Sequence, residues 1–150
     1  MYVLEIHADG QEAEVEILRL RPHHLLCIPN FEGRGYSSKF ICNLGEIKKR
    51  IEGNDIRIRI VDGQDDVCVK CPNVAPCRLM KYPSLLDKRT SCVLGLDYGK
   101  VYDASQLFAL VRRRISVELL HIICRDCAFY NQCKELFEKN FLHEKDMGAI

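Results

Sequence analysis

The sequence predicts an α+β fold: a small antiparallel sheet with several packed helices and a helical C-terminal third. Three observations predict it. Apolar residues alternate at period two near the N-terminus and over 56–61. Apolar residues recur at helical spacing over 37–51 and through most of the chain after 103. The chain has 150 residues, 47% of them hydrophobic, enough for one domain (1–150) with a true core.

Taken in order, Tyr2, Leu4 and Ile6 share one side of a strand, and Asp9-Gly10 follows as a turn. Ala13, Val15 and Ile17 then alternate with Glu12, Glu14 and Glu16, so residues 1–20 read as a β-hairpin with one buried face. Pro22 suits the first position of a short helix, which runs to about Ile28 and stops at Pro29. Gly33 and Gly35 mark 30–36 as a loop. Ser37 or Ser38 can cap a helix to about Ile51, with Gly53 after its end. Ile56, Ile58 and Ile60 point inward against Arg57 and Arg59 in a third strand, closed by Asp62-Gly63. Pro72, Pro76 and Pro83 predict irregular backbone over 68–83. Beyond it, Asp103 or Ser105 can cap a helix carrying Leu107, Leu110, Val111 and Ile115, and Ser116 can cap a short one carrying Val117, Leu120 and Ile123. From about Ala128, Phe129, Cys133, Phe137 and Phe141 line a final helix.

Composition excludes several classes of function. Lys and Arg total 22 and Asp and Glu total 21, a balance that argues against a protein built to coat nucleic acid or anionic membrane. Arg112-Arg113-Arg114 is then a solvated helix face. No apolar run approaches the length of a membrane span, and residues 1–20 lack the pattern of a secretory signal. A cytoplasmic location is expected, where thiols serve as metal ligands or redox groups more often than as disulfides.

Cysteine is the anomaly, with nine in the chain. Cys68, Cys71 and Cys77 have the spacing C-x2-C-x5-C, and Cys124, Cys127 and Cys133 repeat it. Two residues between thiolates let both sulfurs face one ion or cluster, and the third cysteine of each trio sharpens the signal. Because 52 residues separate Cys71 from Cys124, one compact zinc ribbon fits poorly. Three close cysteines with a remote fourth ligand are the habit of iron–sulfur clusters, and Cys71-Pro72 matches the Cys-Pro step of ferredoxin-type runs. Cys124 and Cys127 precede the final helix, whose positive end favours thiolate.

Remote ligands come from Arg21-Pro22-His23-His24-Leu25-Leu26-Cys27. In a helix His23 and Cys27 are i, i+4 neighbours, and His24 and Cys27 are i, i+3 neighbours, so His23, His24 or Cys27 can complete a trio. Cys92 and His121 are further candidates by spacing, whereas Cys42, beside Ile41, reads as core. No paired carboxylates, activated nucleophile or phosphate loop points to a hydrolase or transferase.

Arg21 to Cys27, then Gly35-Tyr36-Ser37, Phe40 and Asn43, then both cysteine trios, together resemble an uncharacterised family of small bacterial and archaeal proteins provisionally described as iron–sulfur binding. The likeness runs from about residue 21 to about residue 137, which makes 1–20 an added hairpin. It implies a cofactor and no reaction. The sequence therefore leads to an iron–sulfur protein, with a [4Fe–4S] cluster serving electron transfer or redox sensing with a redox or protein partner. A structural zinc-binding interaction module is the alternative, followed by a thiol redox enzyme.

Overall fold

The longest strand organises the sheet. β2 (Glu12–Leu20) pairs antiparallel with β1 (Tyr2–Ile6), placing Tyr2 opposite Glu16. On its other side it pairs parallel with β3 (Ile56–Ile60), placing Leu18 opposite Ile58 and Leu20 opposite Ile60. β4 (Val101–Asp103) pairs antiparallel with β3, which gives the order β1-β2-β3-β4. The computed structural model describes residues 2–6, 12–31, 33, 37–53, 55–71, 81–125, 127 and 130–139. The expected Asp9-Gly10 turn, together with Gly35, Tyr36, Pro72, Pro76, Cys77, Phe129 and Phe141, lies outside them.

The α+β class holds, and the sheet is mixed where an antiparallel one was expected. Its parallel pair needs a crossover, which residues 21–55 supply through α1 (His24–Cys27), a 3-10 turn at Ile28–Asn30 and α2 (Ser38–Gly53). In β3 the alternation is as read: Ile56, Ile58 and Ile60 are buried, and Arg57 and Arg59 half-buried. In β2 the pairing register selects the core face. Leu18 and Leu20, aligned with Ile58 and Ile60, join the main hydrophobic core, while Val15 and Ile17 are buried on the opposite side of the strand.

Helix ends follow the expected chemistry. The Ser37 hydroxyl accepts from the Phe40 N–H at 3.2 Å and starts α2, whose buried stripe is Phe40, Leu44 and Ile47. Cys42 lies off that stripe and is exposed, which corrects its reading as core. Asp103 caps α4 (Ala104–Arg114), and Ser116 caps α5 (Val117–Cys124). Arg112, Arg113 and Arg114 form the exposed last turn of α4, where cations suit the helix dipole. α6 (Tyr130–Phe137) buries Phe137.

The element that sequence reading lacks is α3 (Lys81–Leu94). Pro83 was read as a breaker, yet it stands third in this helix, within the first turn, where a missing N–H costs nothing. The helix ends at Gly95, whose φ of +68° lets its own N–H and that of Leu96 reach the Ser91 carbonyl at 2.8 and 3.1 Å. Among the described residues no helix is long and apolar enough to cross a membrane.

Ile58 sits at the centre of the sheet with 0% exposure. Ile58→Ala should cost about 2–5 kcal/mol in chemical denaturation, against less than about 1 kcal/mol for the β3 neighbour change Arg59→Lys, which keeps the side-chain stem and charge.

Candidate metal centre

The chain leaving β2 is held by carboxylates from two other segments. After β3, the turn at Gly63 (φ +96°) leads into Asp65 and Asp66. Asp66 accepts from the Arg19 N–H at 2.8 Å, and Asp65 accepts from the Arg21 N–H at 2.7 Å. Asp87, from α3, accepts from Arg21 Nε at 2.8 Å and from the His23 N–H at 3.1 Å, and its Oδ1 lies 2.6 Å from His23 Nδ1. His24 turns the other way, its Nδ1 2.6 Å from Asp65 Oδ2. The two imidazoles, 4.4 Å apart between centroids, are thus held by different acids.

Burial alone would raise both carboxyls. For Asp65 it is outweighed by His24 and by the N–H groups of Arg21 and Cys68, which bring the carboxyl down to about 2. For Asp87 it is outweighed by the His23 ring and the Arg21 guanidinium, which hold it below the usual carboxylate range. His23 is fully enclosed, and burial, assisted by neighbouring His24, lowers it to about 4, so its imidazole is neutral at physiological pH. Expected as a ligand, His23 has its Nδ1 occupied by Asp87.

Two groups of candidate ligands emerge from this frame. Cys27 ends α1, and its thiol lies within electrostatic reach of Cys133, Cys127 and Cys124. The 3-10 turn directly after Cys27 packs against α6, which carries Cys133. Cys124 is the last residue of α5, and Cys127 lies in the link to α6, tied by its N–H to the Cys124 carbonyl at 2.8 Å. Of the remote candidates that the sequence left open, Cys27 lies within electrostatic reach of the second trio. Burial pushes these thiols up: Cys27 well above its ordinary value, Cys124 to about 12 and Cys133 to about 11, and the nearby sulfurs add to each rise. At Cys124 this burial outweighs the favouring of thiolate expected at the helix end. Arg89 opposes it at Cys124 and donates to the Ile123 carbonyl at 3.2 Å, which ties α3 to the end of α5.

The first trio has a different setting. Cys68 opens a 3-10 turn, and its N–H donates to Asp65 Oδ1 at 3.0 Å. His24, Asp65 and Cys68 each bring one ligand atom into a set lying within 4.8 Å of one another, the one such trio among the described residues. Burial and the Asp65 charge push the Cys68 thiol up to about 12. Cys71 follows on the same turn, half-buried against the core, and Cys77 lies outside the described residues. Cys92 is exposed on α3, and His121 meets the Tyr130 hydroxyl at 2.9 Å through Nδ1. Asp65 and Asp87 were missed by sequence reading. A signal for Asp87 existed, since Asp87, Thr90 and Leu94 are all buried at helical spacing, but it is visible only once 81–94 is known to be helical.

The family described as a protein of unknown function, DUF1284, matches residues 35–133, and the chain belongs to it. No curated protein and no solved structure matches the chain.

Asp87→Ala should destabilise the protein by about 3–5 kcal/mol in denaturant titrations, since it strands the buried Arg21 guanidinium. The sign with pH follows from the depressed carboxyl. Its contribution is complete above about pH 4 and is lost as pH falls through the lower folded value. The stability gap between wild type and Asp87→Ala, measured in the same titrations, should therefore narrow below about pH 4.

Proposed function

We propose that the protein binds an iron–sulfur cluster through Cys27, Cys124, Cys127 and Cys133 and serves electron transfer or redox sensing. The observation that carries the reading is the gathering of Cys27, almost a hundred residues away in sequence, with the three thiols of the second trio. Four cysteines are the ligand set of a cubane cluster. The C-x2-C-x5-C spacing with a remote fourth cysteine is what favours a cluster over one zinc ion, whose ribbons bring two C-x2-C pairs close together in sequence.

The thiols are suited to such a group. Burial and neighbouring sulfurs raise Cys27, Cys124 and Cys133, and a bound cationic centre reverses that balance, so loading releases protons. A carrier or sensor role suits a cluster whose ligands are all thiolates. The family supplies no activity to weigh against it.

Protein purified without oxygen should be brown, with visible absorption and stoichiometric iron and sulfide. Serine at Cys27, Cys124, Cys127 or Cys133 should each remove most of that absorption, whereas serine at exposed Cys42 or Cys92 should leave it unchanged. A colourless protein fully occupied by zinc would reject the reading.

A further inference from the structure

The thiol group of Cys68 faces chemistry unlike that around Cys27. Its neighbours are a histidine, a buried carboxylate and an arginine, and the carboxylate is already fully engaged. Asp65 Oδ2 accepts from the Arg21 N–H and meets His24 Nδ1, while Oδ1 accepts from the Cys68 N–H. Asp65 thus fixes both the imidazole and the backbone of the cysteine. With Nδ1–H donating to the carboxylate, the lone pair of His24 is on Nε2, the tautomer that ligates metal. Carboxylate–histidine pairs of this kind stand behind metal ligands in zinc sites.

We propose that His24 Nε2 and Cys68 Sγ are ligands of a single divalent transition-metal ion, zinc or ferrous iron, oriented by Asp65 and distinct from the all-thiolate centre. One ring nitrogen of His24, the Cys68 sulfur and an Asp65 oxygen lie within 4.8 Å of one another, so a modest turn of the imidazole and thiol brings nitrogen and sulfur to about 2.0–2.3 Å from a shared ion. On binding, the Cys68 thiol gives its proton to solvent and the neutral imidazole contributes its lone pair. The Arg21 guanidinium, beside the Cys68 sulfur, is paired with Asp87 at 2.8 Å.

The same residues could be read as a cysteine nucleophile with a histidine base and an aspartate behind it. The two readings differ in the reactivity they give the thiol: a nucleophile is alkylated fast at neutral pH, whereas a ligand is shielded by its bound metal.

The site does not depend on the cluster, and its test separates the two. Cobalt(II) is added without oxygen to metal-free Cys124→Ser/Cys133→Ser protein, in which the all-thiolate centre is lost. One equivalent should bind, with a near-ultraviolet thiolate-to-cobalt band and visible ligand-field bands. Cys68→Ser should abolish the near-ultraviolet band. Asp65→Asn should keep that band while weakening cobalt binding about tenfold or more. His24→Gln should weaken binding further and shift the visible bands. Cobalt bound at this site should also protect Cys68 from alkylation. If the double variant does not fold by circular dichroism, the same titration is run on wild-type protein with its cluster loaded. No thiolate-to-cobalt band in folded protein, or a band that survives Cys68→Ser, overturns the proposal. Fast alkylation of Cys68 at neutral pH with cobalt bound overturns it as well.

Discussion

Two buried carboxylates hold the chain where it leaves the sheet, and they set the positions of His23, His24 and Cys68. Asp65 and Asp87 are each 1% exposed, and between them they accept from the backbone of Arg21 and His23, the Arg21 guanidinium and both imidazoles. Buried charge without partners is costly, so the arrangement is close to all-or-none: each acid needs its donors, and each donor needs its acid. The consequence is a fixed start for α1. With His23 and His24 clamped in opposite directions, the four-residue helix projects Cys27 toward the α5–α6 link and leaves His24 beside Cys68.

The acids also join separate segments of the fold. Asp65 follows β3 and Asp87 belongs to α3, so one short segment is tied to the end of a strand and to a helix. α3 in turn reaches α5 through Arg89 and the Ile123 carbonyl, next to Cys124. Fixing thiols through a polar frame has a physical advantage over fixing them by packing. Apolar side chains tolerate repacking, whereas hydrogen bonds of 2.6–3.1 Å specify direction as well as distance.

Much of this was legible in the sequence, for reasons that differ from element to element. Capping is local, so Ser37, Asp103 and Ser116 announced the helices they start. The alternation Ile56-Arg57-Ile58-Arg59-Ile60 announced a strand with one buried face. Period two does not encode the direction of a neighbouring strand, and the parallel pairing of β2 with β3 was therefore invisible. Val15 and Ile17 are buried as read, but the second buried face of β2 was invisible for the same reason: Leu18 and Leu20 gain their place in the core from the register with Ile58 and Ile60. Pro83 hid α3 because proline in a first turn and proline as a breaker look alike without knowledge of the helix. With α3 hidden, Asp87 had no apolar face to stand out from. The pairing of Cys27 with the second trio is tertiary information, and spacing could only name it among alternatives.

The two trios share a spacing, yet the fold gives them different surroundings, and the difference is chemical. Cys124, Cys127 and Cys133 have a fourth thiol nearby and no carboxylate or imidazole among the groups that act on Cys124 and Cys133. Cys68 has His24, Asp65 and Arg21 instead. Four thiolates concentrate negative charge that one divalent ion only partly offsets, while a cluster spreads it over several irons and sulfides. A thiolate with a neutral imidazole carries a single negative charge, which a divalent ion more than balances. Identical C-x2-C-x5-C runs can thus present donors of different charge and hardness, because the ligands that decide come from the Arg21–Cys27 segment. His24 and Cys27, three residues apart in that segment, are sent to separate destinations by the carboxylate of Asp65.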